Sequence, residues 1–66
     1  MNKDIIEGNW KQLKGKVKKQ WGKLTDDELD QIEGNRQELS GKIQERYGKS
    51  REDVDREIAE WERTLQ

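Results

Sequence analysis

The chain has 66 residues, of which 27% are hydrophobic and 44% are charged, and its formal net charge is −1. A chain this short forms one domain, here residues 1–66. It contains no cysteine and no histidine, which excludes disulfides, thiolate nucleophiles, Zn–Cys clusters and the commonest general base.

Low hydrophobicity and balanced charge have opposing effects on folding. Twelve residues are Leu, Ile or Val, a share below the one-fifth level at which disorder becomes common. The near-zero net charge favours folding, so we expect a folded domain of low stability. No stretch approaches the roughly 20 apolar residues of a membrane span, and a cytoplasmic monomer is expected.

The first predicted helix covers residues 3–21. Gly8-Asn9 is expected to bend or break it, because Gly costs about 1 kcal/mol relative to Ala inside a helix. Gly22, which follows an aromatic residue, is the expected left-handed C-cap. The apolar side chains recur at steps of three and four residues, the spacing of one helix face: Trp10, Leu13, Val17, Trp21 and Leu24.

The second predicted helix covers residues 26–34. Thr25 and Glu28 have the spacing of a capping box, in which each side chain accepts a hydrogen bond from the other residue's backbone N–H. Acidic residues in the first turn suit the positive end of the helix dipole. Gly34-Asn35 is expected to separate this helix from the next.

The third and fourth predicted helices cover residues 36–47 and 51–64. Gly48 follows Tyr47 and is a second expected left-handed cap. Ser50 and Asp53 form a weaker relative of the capping box. Pooling the apolar faces of the four helices predicts this core: Trp10, Leu13, Val17, Trp21, Leu29, Ile32, Leu39, Ile43, Tyr47, Val54, Ile58 and Trp61.

An internal duplication organises these elements. Residues 4–23 align without a gap to residues 30–49, and ten of the twenty aligned positions are identical, where unrelated segments would share about one or two. Trp21 aligns with Tyr47, and Lys23 aligns with Lys49. We therefore predict an all-α fold, a small bundle of about four helices arranged as two α-hairpins with a pseudo-twofold axis.

The runs GNWKQLKGKVKKQWGKLTDDEL and IEGNRQELSGKIQERYG resemble the CsbD-like family of small bacterial proteins. The resemblance extends over essentially the whole chain. It implies two packed α-hairpins similar to the sterile-alpha-motif architecture, and an association with the bacterial general stress response. The family supplies no enzymatic activity, ligand or catalytic residue, so no functional position is carried over.

Basic residues dominate the first repeat and form the one candidate binding site. Between Trp10 and Leu24 there is no acidic residue, and lysines interleaved with tryptophans suit a nucleic-acid backbone. At about 100° per residue the lysines spread around the solvent-facing arc of the helix, which favours a surface that neutralises itself against nearby acids. The candidate phosphate-binding residues are Lys11, Lys14, Lys18, Lys19 and Lys23. Binding of this helix to a membrane surface is disfavoured, because the core needs the same apolar side chains.

The glycine spacing, the alternating acids and the hydroxyl groups do not predict a functional site. Gly8, Gly15 and Gly22 either form a stripe for close helix approach or, as we favour, comprise two breaks at Gly8 and Gly22 and one mid-helix glycine that keeps the helix weak. Asp53, Asp55 and Glu57 alternate like a calcium loop, but Ile58 stands where that loop needs Gly. No hydroxyl has a partner base, so no catalytic residue, metal site or cofactor is expected.

Two functional hypotheses follow from the sequence. The first is a non-enzymatic stress-response protein of the bacterial cytoplasm that acts by binding or by physical protection. The alternative is a nucleic-acid accessory protein that binds the phosphate backbone weakly through the five candidate lysines.

Overall fold

The computed structural model describes residues 4–65, with side chains from Ile6 onward. This part of the chain is all-helical, in chain order α1 (Asp4–Gly8), α2 (Trp10–Gln20), α3 (Asp26–Ile32), α4 (Arg36–Tyr47) and α5 (Arg51–Arg63). The predicted all-α class is therefore confirmed, with five helices where about four were expected. Lys3, the first residue of the predicted 3–21 helix, lies outside the described residues. No helix within residues 4–65 is long and apolar enough to cross a membrane.

The predicted break at Gly8-Asn9 divides the first predicted helix into α1 and α2. The predicted left-handed cap at Gly22 is wrong. The helix ends earlier, and Trp21 has φ −124° and ψ 75°. In this conformation the Trp21 ring packs edge-on against Trp61, with centroids 5.3 Å apart, so an aromatic contact rather than a glycine ends the helix.

Side-chain caps begin three of the helices. At α3, Thr25 and Glu28 form the complete reciprocal capping box. At α4, the Asn35 side chain accepts a hydrogen bond from the Glu38 N–H at 3.0 Å. At α5, Ser50 accepts from the Asp53 N–H at 3.2 Å. The predictions for the starts of α3 and α5 are thus confirmed.

Left-handed residues end α3 and α4. Gly48 caps α4 with φ 65°, as predicted. At the end of α3, both Glu33 (φ 50°) and Gly34 (φ 81°) are left-handed. This turn begins two residues earlier than the sequence indicates, and it brings the backbone of Gly34 against the chain at the end of α1.

The hydrophobic core joins all five helices. Helix α4 packs against α3 and α5, while α2 packs against α1 and α3. Two predicted core residues, Trp10 and Tyr47, are only partly buried, and they pack against the core from outside it. Ile6 and Leu24 are fully buried instead, although the predicted core omits them. The core comprises Ile6, Leu13, Val17, Trp21, Leu24, Leu29, Ile32, Leu39, Ile43, Val54, Ile58 and Trp61.

The glycine stripe of the first repeat does not line a close contact between helices in this chain. A Cβ added at Gly8, Gly15 or Gly41 would meet nothing within 4 Å outside its own helix. Gly8 ends α1 and Gly22 lies between α2 and α3, so Gly15 is the mid-helix glycine of the first repeat. This agrees with the prediction of two breaks and one mid-helix glycine. The close approach occurs at Gly34.

Candidate functional site

Three of the five candidate lysines are engaged within the fold. Lys14 forms an ion pair with Asp30 of α3. The Lys18 ammonium donates a hydrogen bond to the Leu24 carbonyl at 2.6 Å, so it helps to close the turn between α2 and α3. These two lysines contribute to the packing of α2 on α3, and their charges are partly satisfied there.

The third engaged lysine, Lys23, contacts the end of α4. Its ammonium lies 5.0 Å from the centroid of the Tyr47 ring, within range of a cation–π interaction. Its backbone N–H donates to the Tyr47 hydroxyl at 3.2 Å.

The other two candidates, Lys11 and Lys19, are exposed. Within residues 4–65 neither ammonium has a carboxylate partner, and the same holds for the neighbouring Lys16. Lys19 lies beside α5, whereas Lys14 and Lys18 contact α3 and its preceding turn. The structure thus distributes the five candidates among several neighbours instead of bringing them together on one face.

The equivalent ends of the two repeats meet at Tyr47. Lys49, which aligns with Lys23, places its ammonium 5.9 Å from the same ring. Lys49 also pairs with Glu57 of α5, and the second oxygen of that carboxylate accepts a hydrogen bond from Trp21 Nε1–H at 3.3 Å. The sequence did not predict that these residues lie together, although the repeat alignment pairs Trp21 with Tyr47 and Lys23 with Lys49.

Electrostatics follow from these contacts. The hydrogen bond from Lys49 lowers the pKa of Glu57, and the Trp21 donor adds to the effect. The same hydrogen bond, between Lys49 and Glu57, raises the pKa of Lys49. Both groups are therefore held in their charged forms at neutral pH. An ionised carboxylate occupied by two donors connects helices and is poorly suited to act as a general base.

A second carboxylate, Glu28, is buried and connects α3 to α4. Glu28 accepts hydrogen bonds from Arg46 Nε at 2.9 Å and from the Thr25 backbone N–H at 2.9 Å. The Arg46 hydrogen bond, followed by that from Thr25, lowers the pKa of Glu28 from 4.5 to about 2. Glu28 therefore serves both as a cap of α3 and as the partner of Arg46. The sequence indicated only the capping role.

A third carboxylate, Glu62 of α5, is 3% exposed. One oxygen receives a hydrogen bond from Arg36 Nη2 at 3.3 Å. The other oxygen, Oε2, is buried and has no hydrogen-bond partner in the described part of the chain. No sequence signal distinguishes Glu62 from the exposed acids of the same helix.

One surface feature combines unpaired charges with apolar contact area. An open groove of about 780 Å³ runs between the second half of α2 and the end of α5. Lys16 and Lys19 form its basic wall, and Glu57 and Glu60 form its acidic wall. Trp61 and Leu65 provide the apolar surface of this α2–α5 groove.

None of these arrangements is a metal centre. Within the described residues no group of three or more acidic side chains is placed to hold a metal ion. The alternating acids of α5 have other partners: Ser40 donates to Asp55 at 2.7 Å, and Asp53 and Glu57 pair with Arg56 and Lys49.

Comparison with known proteins identifies the family. The CsbD-like family profile matches residues 4–56. The chain is similar to UPF0337 protein RB0906 of Rhizobium meliloti (strain 1021), with 69% identity over 61 residues that cover 92% of this chain and 88% of that protein. It is also similar to UPF0337 protein YjbJ of Escherichia coli (strain K12), with 61% identity over 62 residues, 94% of this chain and 90% of the relative. No solved structure matches significantly. The chain belongs to the CsbD-like family.

Proposed function

We propose that this CsbD-like protein is a non-enzymatic stress-response protein of the bacterial cytoplasm. It acts as a small domain that physically protects other macromolecules. The observation that supports the proposal is the mutual pairing of surface charges. Lysines of α2 pair with acids of α3, and acids of α5 pair with basic residues of α4 and of the following turn.

Charge pairing gives the surface a defined physical character. The net charge is −1, and opposite charges lie close together in the ion pairs. The surface is therefore strongly hydrated but generates little long-range field. Rising salt screens the remaining field within about 10 Å at 0.1 M. Such a domain remains soluble as salt rises or water is removed, and it separates labile proteins without attracting them strongly.

The test is recovery of a labile enzyme after drying or heating in the presence of this protein. We expect higher recovery than with an inert protein of equal mass. The Gly34→Ala variant preserves charge and nearly preserves composition, and it is a matched control at a temperature where circular dichroism shows the variant unfolded and the wild type folded. Recovery no better than with the inert protein would contradict the proposal, and equal protection by the control would assign the effect to composition instead of the folded surface.

The alternative function is weak binding of nucleic acid through Lys11, Lys14, Lys18, Lys19 and Lys23. It is supported by the exposure of Lys11 and Lys19, which leaves their charges available to phosphates. The engagement of Lys14 and Lys18 in the fold predicts a small number of phosphate contacts.

A fluorescence titration with duplex DNA at several salt concentrations tests this alternative. Two phosphate contacts predict a slope of log K against log salt of about −2, whereas five contacts predict about −4.5. Reversal of Lys11 and Lys19 to Glu should abolish binding, while Arg56→Glu on α5 is the control. No binding at low salt, or binding that is unaffected by the lysine reversals, would exclude the phosphate-binding role.

A further inference from the structure

The α2–α5 groove carries charges that the rest of the fold leaves unsatisfied. Lys16, Lys19 and Glu60 are exposed, and within residues 4–65 none of them takes part in an ion pair. The two basic residues and the acidic residue nevertheless line opposite sides of one groove. Elsewhere on α2, the lysines that face an acidic helix are paired with it.

We infer that the groove is a contact surface for a second copy of this chain. A surface with one positive and one negative wall is complementary to itself. A twofold axis running along the groove places the basic wall of each protomer opposite the acidic wall of the other. This is an isologous contact, in which the same patch is used twice.

The apolar surface of the groove supports the same arrangement. Trp61 lies between the walls with 8% of its surface exposed, and Leu65 is partly exposed beside it. The twofold operation brings these side chains towards their equivalents in the partner. Apolar contact at the centre with charged pairs at the margin is the usual composition of a protein interface.

The size of the groove determines the strength of the contact. Eight residues line it, compared with about 20–30 residues on each side of a standard interface. The dimer is therefore weak: the protein is monomeric in dilute solution and associates when it is concentrated, as happens when water is lost. Self-association is separate from the protective function, so a protein that remains monomeric can still protect an enzyme.

Sedimentation equilibrium of the full chain, from micromolar to low millimolar concentration, tests the inference. At about 0.01 M salt, where the screening length is about 30 Å, the apparent mass should rise from 7.9 kDa towards twice that value. Reversing one wall with Lys19→Glu or with Glu60→Lys should weaken association about tenfold. Each substitution occurs twice in a twofold dimer and converts an attraction into a repulsion.

Mixing the two variants provides the decisive measurement. In the mixed dimer, the new glutamate at position 19 of one protomer faces the new lysine at position 60 of the other. The unchanged Lys19 faces the unchanged Glu60, so both contacts are restored. Association should return to the wild-type level. A Lys19–Glu60 interaction confined to one chain would show no such rescue.

Matched controls separate this contact from simple attraction between oppositely charged molecules. Lys11→Glu and Glu45→Lys change exposed residues outside the groove and give variants with the same net charges as the test pair. Mixing them should leave association unchanged. The inference is overturned if the wild type remains monomeric throughout, which would leave the groove to some other partner. It is also overturned if the control pair behaves like the groove pair, or if mixing the groove variants fails to restore association.

Discussion

Replacing Gly34 with Ala should destabilise this protein more than any other glycine-to-alanine change. Gly34 has φ +81°, and an added Cβ would lie 3.0 Å from the Glu7 Cα, 3.1 Å from the Ile6 carbonyl oxygen and 3.3 Å from the Trp10 Cβ. Two of these contacts are with backbone atoms, which cannot move aside like the end of a flexible side chain.

The left-handed conformation costs a non-glycine residue about 1–2 kcal/mol. Forcing an extra methyl group into a packed region typically costs about 1–3 kcal/mol. The expected loss is therefore about 2–5 kcal/mol. For 66 residues, total stability is about 3–10 kcal/mol, so the change removes a large part of it.

The other glycines provide internal controls in the same assay, urea unfolding followed by circular dichroism. Gly48→Ala carries the left-handed penalty of about 1–2 kcal/mol but meets open space. Gly15→Ala and Gly41→Ala also meet open space, within helices, and should stabilise the protein by about 1 kcal/mol. They should leave the oligomeric state unchanged.

Thermal unfolding gives an independent reading of the same order. A loss of 2 kcal/mol or more should lower the melting temperature by at least about 8 °C in a domain of this size. A Gly34→Ala variant with wild-type stability would refute the close approach between the α3–α4 turn and the end of α1. Loss of stability in Gly15→Ala would show that this glycine is needed for a contact that the fold does not show.

Three further changes test the connections between helices. The pKa of Glu28 falls from 4.5 to about 2 on folding. The ionised carboxylate therefore stabilises the fold fully above about pH 4.5, and this contribution is lost as the pH falls towards 2. Glu28→Gln should flatten the stability profile in this window, and an unchanged slope would argue against the Arg46 contact. Thr25→Ala should lower unfolding free energy by about 1 kcal/mol through loss of the α3 cap, and no change in urea unfolding would show that the cap is dispensable. Tyr47→Leu should cost about 0.5–1 kcal/mol more than Tyr47→Phe, which retains the ring beside Lys23 and Lys49; equal losses in urea unfolding would mean that the cation–π contacts contribute nothing.

Local sequence signals correctly indicate most helix boundaries. The caps at Thr25 and Ser50 are short-range hydrogen-bonding patterns, and the glycine after Tyr47 adopts the left-handed conformation that glycine favours. These features depend on a few neighbouring residues, so they are readable without the fold. For this reason the helix predicted over 36–47 has the observed bounds.

Long-range contacts account for the errors. Gly22 follows Trp21 as Gly48 follows Tyr47, yet Trp21 leaves the helix to contact Trp61, a residue 40 positions away in the chain. Leu24 is fully buried because the chain turns inward after α2. The sequence does not contain the direction of that turn in any local pattern. The sterile-alpha-motif likeness and the pseudo-twofold relation between hairpins remain predictions.

The candidate lysines could be identified from the sequence by residue type. The sequence did not show which of them the fold leaves without a partner. Pairing of Lys14 with Asp30, and of Lys18 with the Leu24 carbonyl, depends on how α2 lies against α3. Helical spacing correctly indicated that the lysines spread around α2. Which of them remain unpaired could be determined only from the packing.

Carboxylates carry much of the long-range connectivity of this small domain. Glu28 ties α3 to α4, Glu57 ties α5 to the end of α2, and Glu62 ties α5 to the start of α4. In a chain with few aliphatic residues, each of these side chains adds specific contacts that join helices distant in sequence. The same pairing removes these three carboxylates from the set of charges available to outside partners.

Charges that folding leaves unpaired are available for contacts with other molecules. Exposed charges without an ion pair are spread over the described chain, and Lys16, Lys19 and Glu60 are among them. These three line the α2–α5 groove, where both signs are present together. A purely basic groove would favour a polyanion, whereas adjacent walls of opposite sign favour a partner with the same pattern in reverse. The simplest such partner is another copy of the chain itself, and mixing the Lys19→Glu and Glu60→Lys variants tests for that partner directly.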